Sequence, residues 1–354
     1  MDARLTFLVG NRVFQNNRVF SKEMRDQANA YFIALKELLQ KSGLILATED
    51  IHPAETAALV IDMNVQKWTT SARPGPIRYL LITEPPVVCA ANWSPAEHLR
   101  YDKVFTWNDS LIDNRKYFLL RYAHNLGMET GLPGFADRKL ASMIIGFKAS
   151  SNAQEQYSAR FDTIRWFLRH HPEEFHLYGA GWPSRFRPPV HPLAERFLSG
   201  PLDLLLSPFY PKNVCYMGRV TDKVQTSKNY RFAFCYENTH SAPGYITEKI
   251  FDAFRAGCVP IYLGPPNTLE NISPDCFIDR RHFGSHEELY AYLERIPERE
   301  FVQYQERIRA YLVSTQARQF TPSHFALVLR NHILADLGKA VPPNPHKSGA
   351  GEDR

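Results

Sequence analysis

The stretch from Tyr230 to Gly264, YRFAFCYENTHSAPGYITEKIFDAFRAGCVPIYLG, constrains the fold of this chain most strongly. An apolar run that ends at Glu237 predicts a buried strand, and Thr247 is a suitable N-cap for a helix. Gly257 stands where that helix is expected to end, and a second apolar run begins directly after it. A strand, a helix and a strand in this order predict part of a parallel α/β sheet.

Strand-like runs also alternate with helical periodicity elsewhere, which predicts an α/β fold, and 354 residues are enough for two domains. The segment 108–138 is polar and aromatic, and we expect it to be irregular and to connect the domains. Strands are predicted over 5–9, 44–47, 58–63, 77–83, 103–106, 141–147, 175–178, 232–236 and 258–263. Helices are predicted over 28–39, 154–170, 248–256, 286–296, 300–314 and 323–337.

Composition excludes some classes of function. The net charge of +5 is not concentrated in a basic cluster, so a nucleic-acid-binding protein is not expected. The five cysteines are odd in number and lack C-x-x-C spacing, which favours buried reduced thiols over disulfides or a metal site. The chain has no D-x-D pair, the arrangement that commonly holds a divalent ion on a sugar nucleotide.

Two charged side chains have positions that suggest chemistry. Lys249 lies in the first turn of the predicted helix, where the helix dipole disfavours a cation unless an anion binds there. The alternative is that Lys249 points to water beside Glu248. Glu84 follows a predicted strand and is stiffened by Pro85 and Pro86, so its carboxylate can be aimed into a cleft. The alternative for Glu84 is a solvated loop residue.

The chain resembles the α-1,3/4-fucosyltransferases, glycosyltransferase family ten, and in particular a soluble, bacterial-type member. The resemblance rests on FCYENT at Phe234–Thr239, YITEK at Tyr245–Lys249 and AGCVPIYLG at Ala256–Gly264. SAR at Ser158–Arg160 and GRVTDK at Gly218–Lys223 stand in the family's order upstream. The resemblance is clear from about 140 to 300 and weaker before that.

Departures from the family pattern are small. Tyr236 stands where Phe is usual, Ala242 and Pro243 replace a commonly acidic position, and His282 stands where the family has Asp.

The resemblance implies a GT-B architecture, with two Rossmann-like domains facing a central cleft. The expected domains are an acceptor-binding domain at 1–138 that carries the base and a GDP-fucose-binding domain at 139–320. A closing helix at 321–337 and a disordered tail at 338–354 would follow.

The resemblance also implies inverting transfer of L-fucose from GDP-β-L-fucose to an acceptor glycan, in α-1,3 or α-1,4 linkage. The expected acceptor sugar is the N-acetylglucosamine or glucose unit of an N-acetyllactosamine-like oligosaccharide or glycoconjugate. Glu84 would be the catalytic base. The donor would be bound by Arg160, Lys223, Asn238, Tyr245, Glu248 and Lys249. Among these, Arg160 and Lys249 would meet the diphosphate, and Asn238 and Glu248 the ribose.

No cofactor is expected, and a divalent metal would at most stimulate turnover. A full-length chain would be cytoplasmic or peripheral to the cytoplasmic face of a membrane, because no apolar stretch is long enough to span a bilayer. Two other functions stay open: a GT-B transferase that uses another nucleotide sugar, and a non-catalytic carbohydrate-binding relative. The sequence leaves the acceptor, the linkage and the oligomeric state undetermined.

Overall fold

A computed structural model describes residues 3–23, 29–66, 75–185 and 212–340 of the chain. The chain divides into two compact units. The N-terminal unit comprises Met1–Asn125, Ala242–Tyr245 and Ser314–Arg354, and the C-terminal unit comprises Leu126–Ser241 and Ile246–Val313.

The N-terminal unit is built on a parallel sheet whose strands are predominantly apolar and buried, as expected for a sheet covered on both faces. Its strands are β1 (Ala3–Leu8), β2 (Leu44–Thr48), β3 (Leu59–Met63), β4 (Ile77–Ile82), β5 (Lys103–Thr106) and β6 (Tyr117–Leu119). Their order is β2-β1-β3-β4-β5-β6, and every pairing is parallel.

Helices of the N-terminal unit pack on this sheet. They are α1 (Ala30–Gln40) and α2 (Pro95–His98), with 3-10 turns at Arg18–Phe20, Ala54–Thr56, Ala90–Trp93 and Asp109–Leu111. The last of the described helices, at Pro322–Asp336, belongs to the same unit. Its Phe325 and Leu329 share one buried cluster with Phe32 and Leu35 of α1, which explains why this helix packs in the first unit.

The C-terminal unit has a second parallel sheet. Its strands are β7 (Lys139–Ile144), β8 (Phe175–Tyr178), β9 (Tyr230–Tyr236), β10 (Val259–Leu263) and β11 (Ile278–Asp279), in the order β11-β10-β9-β7-β8. Its helices are α3 (Tyr157–His170), α4 (Lys223–Ser227), α5 (Glu248–Arg255), α6 (Thr268–Asn271), α7 (His286–Arg295) and α8 (Glu298–Leu312), so the Pro322–Asp336 helix is α9. Shorter 3-10 turns lie at Pro274–Cys276 and Arg280–His282, and a further one at Ala317–Phe320 belongs to the first unit.

These elements confirm the predicted α/β fold class. Each predicted strand and helix is present, and β5 and β8 have the predicted bounds. The prediction of irregular structure over 108–138 is wrong at β6, which adds a strand to the edge of the first sheet through pairing with β5. Residues 186–211 lie outside the described residues, as do residues 341–354 of the predicted tail.

The boundary between the units lies after Asn125 instead of the expected position 138. Arg138 explains the difference, because its buried guanidinium donates to the carbonyls of Tyr230 (3.0 Å) and Gly257 (3.1 Å). The connecting segment is therefore packed into the C-terminal unit before the first strand of that unit begins.

All five cysteines fall within the described ranges and carry free thiols, and each except the half-buried Cys89 is buried. Burial raises the pKa of Cys258 to about 12, so this thiol stays protonated. Among the described helices, none combines the length and apolar character that crossing a bilayer requires.

Candidate functional site

In the C-terminal sheet, the direction in which successive strands are added reverses between β7 and β9. The chain passes from β7 to β8 on one side and later reaches β9 on the other. Ligands of open parallel sheets bind outside the carboxyl ends of the strands at such a point. A cavity of about 40 Å³ lies here, and its lining includes Lys223, Glu248 and Lys249, three of the residues predicted to bind the donor. A volume of that size holds water and not a nucleotide, so a larger ligand could only lie across its opening.

A fully buried carboxylate organises this edge of the sheet. Glu237 follows β9 directly and has 0% exposure. Its oxygens accept hydrogen bonds from the Thr247 backbone N–H (2.8 Å), the Thr247 hydroxyl (2.8 and 3.0 Å) and the Tyr262 hydroxyl (3.1 Å). The ammonium of Lys249 completes the cluster at 3.0 Å. A buried charge needs partners of this kind, and Glu237 has both a cation and neutral donors.

Lys249 is thus ion-paired and does not simply point to water. Its side chain is 14% exposed, and Glu248 is a second carboxylate at 3.7 Å. Burial by itself would lower the pKa of Lys249, but the attraction of Glu237 and Glu248 outweighs it and raises the pKa above its ordinary value. The unfavourable position of a cation in the first turn of α5 is offset by these two carboxylates.

Thr247 occupies the predicted N-cap position of α5, but its side chain does not cap the helix. Its hydroxyl instead donates to Glu237 and accepts from Lys249 at 2.9 Å. Gly257 has the left-handed backbone (φ 63°) expected just after the helix. The helix begins at the predicted residue and ends at Arg255, one residue before the predicted end, and Thr247 is its N-cap residue without a side-chain hydrogen bond to the helix.

Lys223 lies on α4 next to two acidic side chains of α5. Its ammonium is 3.9 Å from Glu248 and 3.7 Å from Asp252. These contacts place Lys223 and Glu248 on the same cavity, as the prediction of a shared ligand requires.

Arg160 and Asn238 are also brought together. Arg160 lies on α3 with 2% exposure, and its Nη2 donates to the carbonyls of Tyr236 (2.7 Å) and Glu237 (2.8 Å) and to Asn238 Oδ1 (3.0 Å). The guanidinium therefore fixes the carboxyl end of β9 and the side chain that follows it. Its predicted contact with a diphosphate stays a prediction.

Tyr245 belongs to the N-terminal unit, although it lies within the motif of the second half of the sequence. Its ring packs against Trp107 at 4.7 Å and against Tyr122 at 6.0 Å, and it is 2% exposed. The predicted contact between Tyr245 and the donor stays a prediction.

Glu84 lies in the N-terminal unit, two residues after β4, and is half-buried. Its backbone N–H donates to Asn64 Oδ1 (3.1 Å), and its carbonyl accepts from Asn92 Nδ2 (3.2 Å) and Trp93 Nε1 (3.1 Å). The main chain of Glu84 is thus held on both sides, unlike that of a free loop residue.

The described residues contain no group of three or more His, Cys, Asp or Glu side chains placed to hold a metal ion. His282 and His286 have the spacing H-x-x-x-H, which can bind a metal on one helix. They lie on different elements, however, the Arg280–His282 turn and α7, and His286 Nε2 is 3.0 Å from the hydroxyl of Thr163.

Sequence reasoning missed the role of Glu237 and its partners Thr247 and Tyr262. One signal was available, because a lysine in the first turn of a buried helix requires a nearby carboxylate. Glu237 ends the preceding strand and is the acidic residue of the first motif.

Comparison with known proteins finds a similarity to one family over part of the chain. Residues 213–327 match the family model described as glycosyltransferase family 10 (fucosyltransferase), C-terminal part. An α-(1,4)-fucosyltransferase of Arabidopsis thaliana is 43% identical over 68 residues, 19% of this chain and 17% of that protein. An α-(1,3)-fucosyltransferase of Helicobacter pylori is 35% identical over 75 residues, 21% of this chain and 16% of that protein.

A longer match is human α-(1,3)-fucosyltransferase 7, 38% identical over 122 residues, 32% of this chain and 35% of that protein. The chain thus spans about a third or less of the length of these curated relatives.

Among solved structures, an α1,3-fucosyltransferase has a TM-score of 0.54 at 16% identity, over 97% of this chain and 92% of that one. An α-glucosyltransferase in complex with UDP and DNA has a TM-score of 0.55 at 9% identity, over 95% of this chain and all of that one. These likenesses show the fold, which is the predicted GT-B fold of two Rossmann-like domains. Over residues 213–327 the chain is thus similar to the C-terminal part of the family 10 fucosyltransferases.

Proposed function

We propose that this chain is an inverting fucosyltransferase that moves L-fucose from GDP-β-L-fucose to a hydroxyl group of an acceptor glycan. The observation that carries the proposal is the cluster of Glu237, Lys249 and Thr247 at the switch point of the C-terminal sheet, within the matched family segment. The names of the curated relatives support the same activity, since they are α-(1,3)- and α-(1,4)-fucosyltransferases.

The donor is proposed to lie across the mouth of the cavity in the C-terminal unit. Lys249 and the amino end of α5 would face the diphosphate, where an ammonium and helix N–H groups both favour an anion. Arg160 and Lys223 would add positive charge, and Asn238 and Glu248 would hold the ribose hydroxyls. Tyr245 would approach the diphosphate or the fucose.

One direct displacement needs one base. Glu84 would accept the proton of the acceptor hydroxyl as that oxygen attacks the anomeric carbon and the bond to GDP breaks. Attack from the opposite face converts the β-linked donor into an α-L-fucoside. The proposed acceptor is an N-acetyllactosamine-like glycan, fucosylated on N-acetylglucosamine or glucose in α-1,3 or α-1,4 linkage.

The activity is tested with GDP-fucose, GDP-mannose and UDP-glucose on N-acetyllactosamine and its β-1,3 isomer. We expect a deoxyhexose to be added from GDP-fucose only, with α configuration by NMR and a single linkage. Transfer of a hexose from another donor would establish a different transferase. Binding of glycan without turnover would establish a non-catalytic relative.

Turnover is proposed to need no bound metal, because Lys249, Arg160 and the amino end of α5 can meet the charge of the leaving GDP. The initial rate of metal-stripped protein in excess EDTA is expected to stay close to that in Mn²⁺ or Mg²⁺. A complete loss of activity in EDTA that added metal reverses would refute this part. Cytoplasmic or peripheral membrane location also stays part of the proposal, and fractionation of the producing cells would test it.

A further inference from the structure

Asn64 is the centre of a hydrogen-bond network around the backbone of Glu84. Its side-chain oxygen accepts from the backbone N–H groups of Thr83 (2.9 Å) and Glu84 (3.1 Å) and from the Thr83 hydroxyl (2.9 Å). It also accepts from Asn92 Nδ2 at 2.7 Å. One amide oxygen thus binds the two residues that follow β4 and Asn92 of the Ala90–Trp93 turn.

The conformation of Asn64 is uncommon and fits this task. Asn64 directly follows β3 and has the left-handed backbone (φ 63°), which asparagine tolerates better than most residues. Its own N–H continues the pairing of β3 with β4 by donating to the Leu81 carbonyl at 2.9 Å. The turn therefore brings the side-chain amide back over the end of the neighbouring strand.

Asn92 holds the other side of Glu84. It has 0% exposure, and its Nδ2 reaches both Asn64 Oδ1 and the carbonyl of Glu84. Its Oδ1 accepts from the N–H of Val65 at 2.8 Å. The Glu84 carbonyl receives a second bond from the indole of Trp93. With both its N–H and its carbonyl fixed, Glu84 has a defined direction for its Cα–Cβ bond.

We propose that Asn64 and Asn92 are positioning residues that orient the Glu84 carboxylate for proton transfer. The inference rests on the proposed function, because it takes Glu84 as the base. A displacement of about 1 Å in a reacting group can lower a rate roughly a hundredfold. An unanchored glutamate at the end of a strand would sample many positions, and this network fixes the backbone from which the side chain of Glu84 extends.

The first test is Asn64→Gly, which keeps the left-handed backbone and removes the amide. Asn114→Gly is the matched control, since Asn114 has φ 56° in the same unit and is exposed. We expect Asn64→Gly to lower kcat roughly tenfold or more, with an unchanged KM for GDP-fucose. The control should retain its activity. A normal kcat in Asn64→Gly would overturn the inference.

A pH profile separates orientation from general structural damage. Asn64→Asp keeps an accepting oxygen and adds a negative charge close to Glu84, and a like charge raises the pKa of a carboxyl group. The acidic limb of the kcat/KM profile is therefore expected to move to higher pH, while the affinity for GDP stays the same. An unmoved limb would contradict the proposed coupling.

The final test repeats Asn64→Gly in a Glu84→Gln background. If Asn64 acts through the base, the Asn64→Gly substitution should not slow the Glu84→Gln variant any further. Equal slowing in both backgrounds would overturn the positioning role and leave the base assignment intact. Near-normal turnover of Glu84→Gln alone would instead refute Glu84 as the base, so the two failures are distinguishable.

Discussion

The ammonium of Lys249 lies 3.0 Å from a carboxylate oxygen of Glu237, and Glu237 is completely buried. The pair gives Lys249 two roles that experiments can separate. It neutralises a charge inside the C-terminal unit, and it is proposed to face the diphosphate of the donor.

Lys249→Ala should therefore affect both stability and binding. Leaving Glu237 buried without its cation is expected to cost about 3 kcal/mol of unfolding free energy. Loss of a charge-assisted contact of about 1.5–3 kcal/mol should weaken GDP roughly tenfold to a hundredfold. Urea unfolding and calorimetry with GDP measure the two effects.

The control is the double variant Glu237→Gln with Lys249→Ala, in which no buried charge is left unpaired. It should recover much of the lost stability but none of the affinity for GDP. Recovery of GDP affinity in the double variant would mean that Lys249 acts only as the partner of Glu237.

Arg160 and Asn238 are expected to act as a unit, because they share a hydrogen bond of 3.0 Å. Arg160→Ala and Asn238→Ala should each weaken GDP binding, and the double variant should lose less than the sum of the two. Calorimetric titration of the wild type and all three variants with GDP gives the double-mutant cycle. Additive losses would instead favour independent contacts with the ligand, as the sequence alone predicts.

The stability of the C-terminal unit should depend on pH through His286. Burial, followed by the positive charge of Arg280, lowers the pKa of this imidazole below 6.5, while Asp162 and Glu287 act in the opposite direction. The folded state then binds fewer protons than the unfolded state, so the contribution of His286 is complete above pH 6.5 and is lost as the pH falls towards the lowered pKa.

Urea midpoints measured from about pH 7 to 5 should fall less steeply in His286→Gln than in the wild type. His170→Gln is the control, since His170 is exposed but stacks on Trp166 (5.1 Å between ring centroids), as His286 does (5.9 Å). The same slope in His286→Gln and the wild type would show that His286 does not titrate as described.

Local sequence patterns predicted most of the fold because the strands of both units are apolar runs and the longer helices have clear stripes. β6 was missed because Tyr117–Leu119 is three residues long and follows polar turn residues. Its strand character comes from pairing with β5, which is a tertiary contact. α9 was predicted as a closing helix, but its packing against α1 depends on tertiary contacts that the sequence pattern does not contain.

The candidate site likewise combines features that local sequence predicts with features that depend on tertiary contacts. Lys223, Glu248 and Lys249 were predicted to bind one ligand, and they line one cavity, where Glu248 and Lys249 lie in the first turn of one helix. Their contact with the donor stays a prediction. Glu237 was missed because its part depends on side chains from three separate positions meeting around it. The burial of Tyr245 against Trp107 likewise depends on the fold, since the two residues are far apart in sequence.

Glu84→Gln tests the central claim most directly, because glutamine has nearly the same shape but cannot accept the proton. The measurement is the initial rate of fucose transfer from GDP-fucose, with calorimetry of GDP as the control for donor binding. We predict an unchanged affinity for GDP and a rate lower by about a hundredfold or more. A near-normal rate in Glu84→Gln would contradict the account.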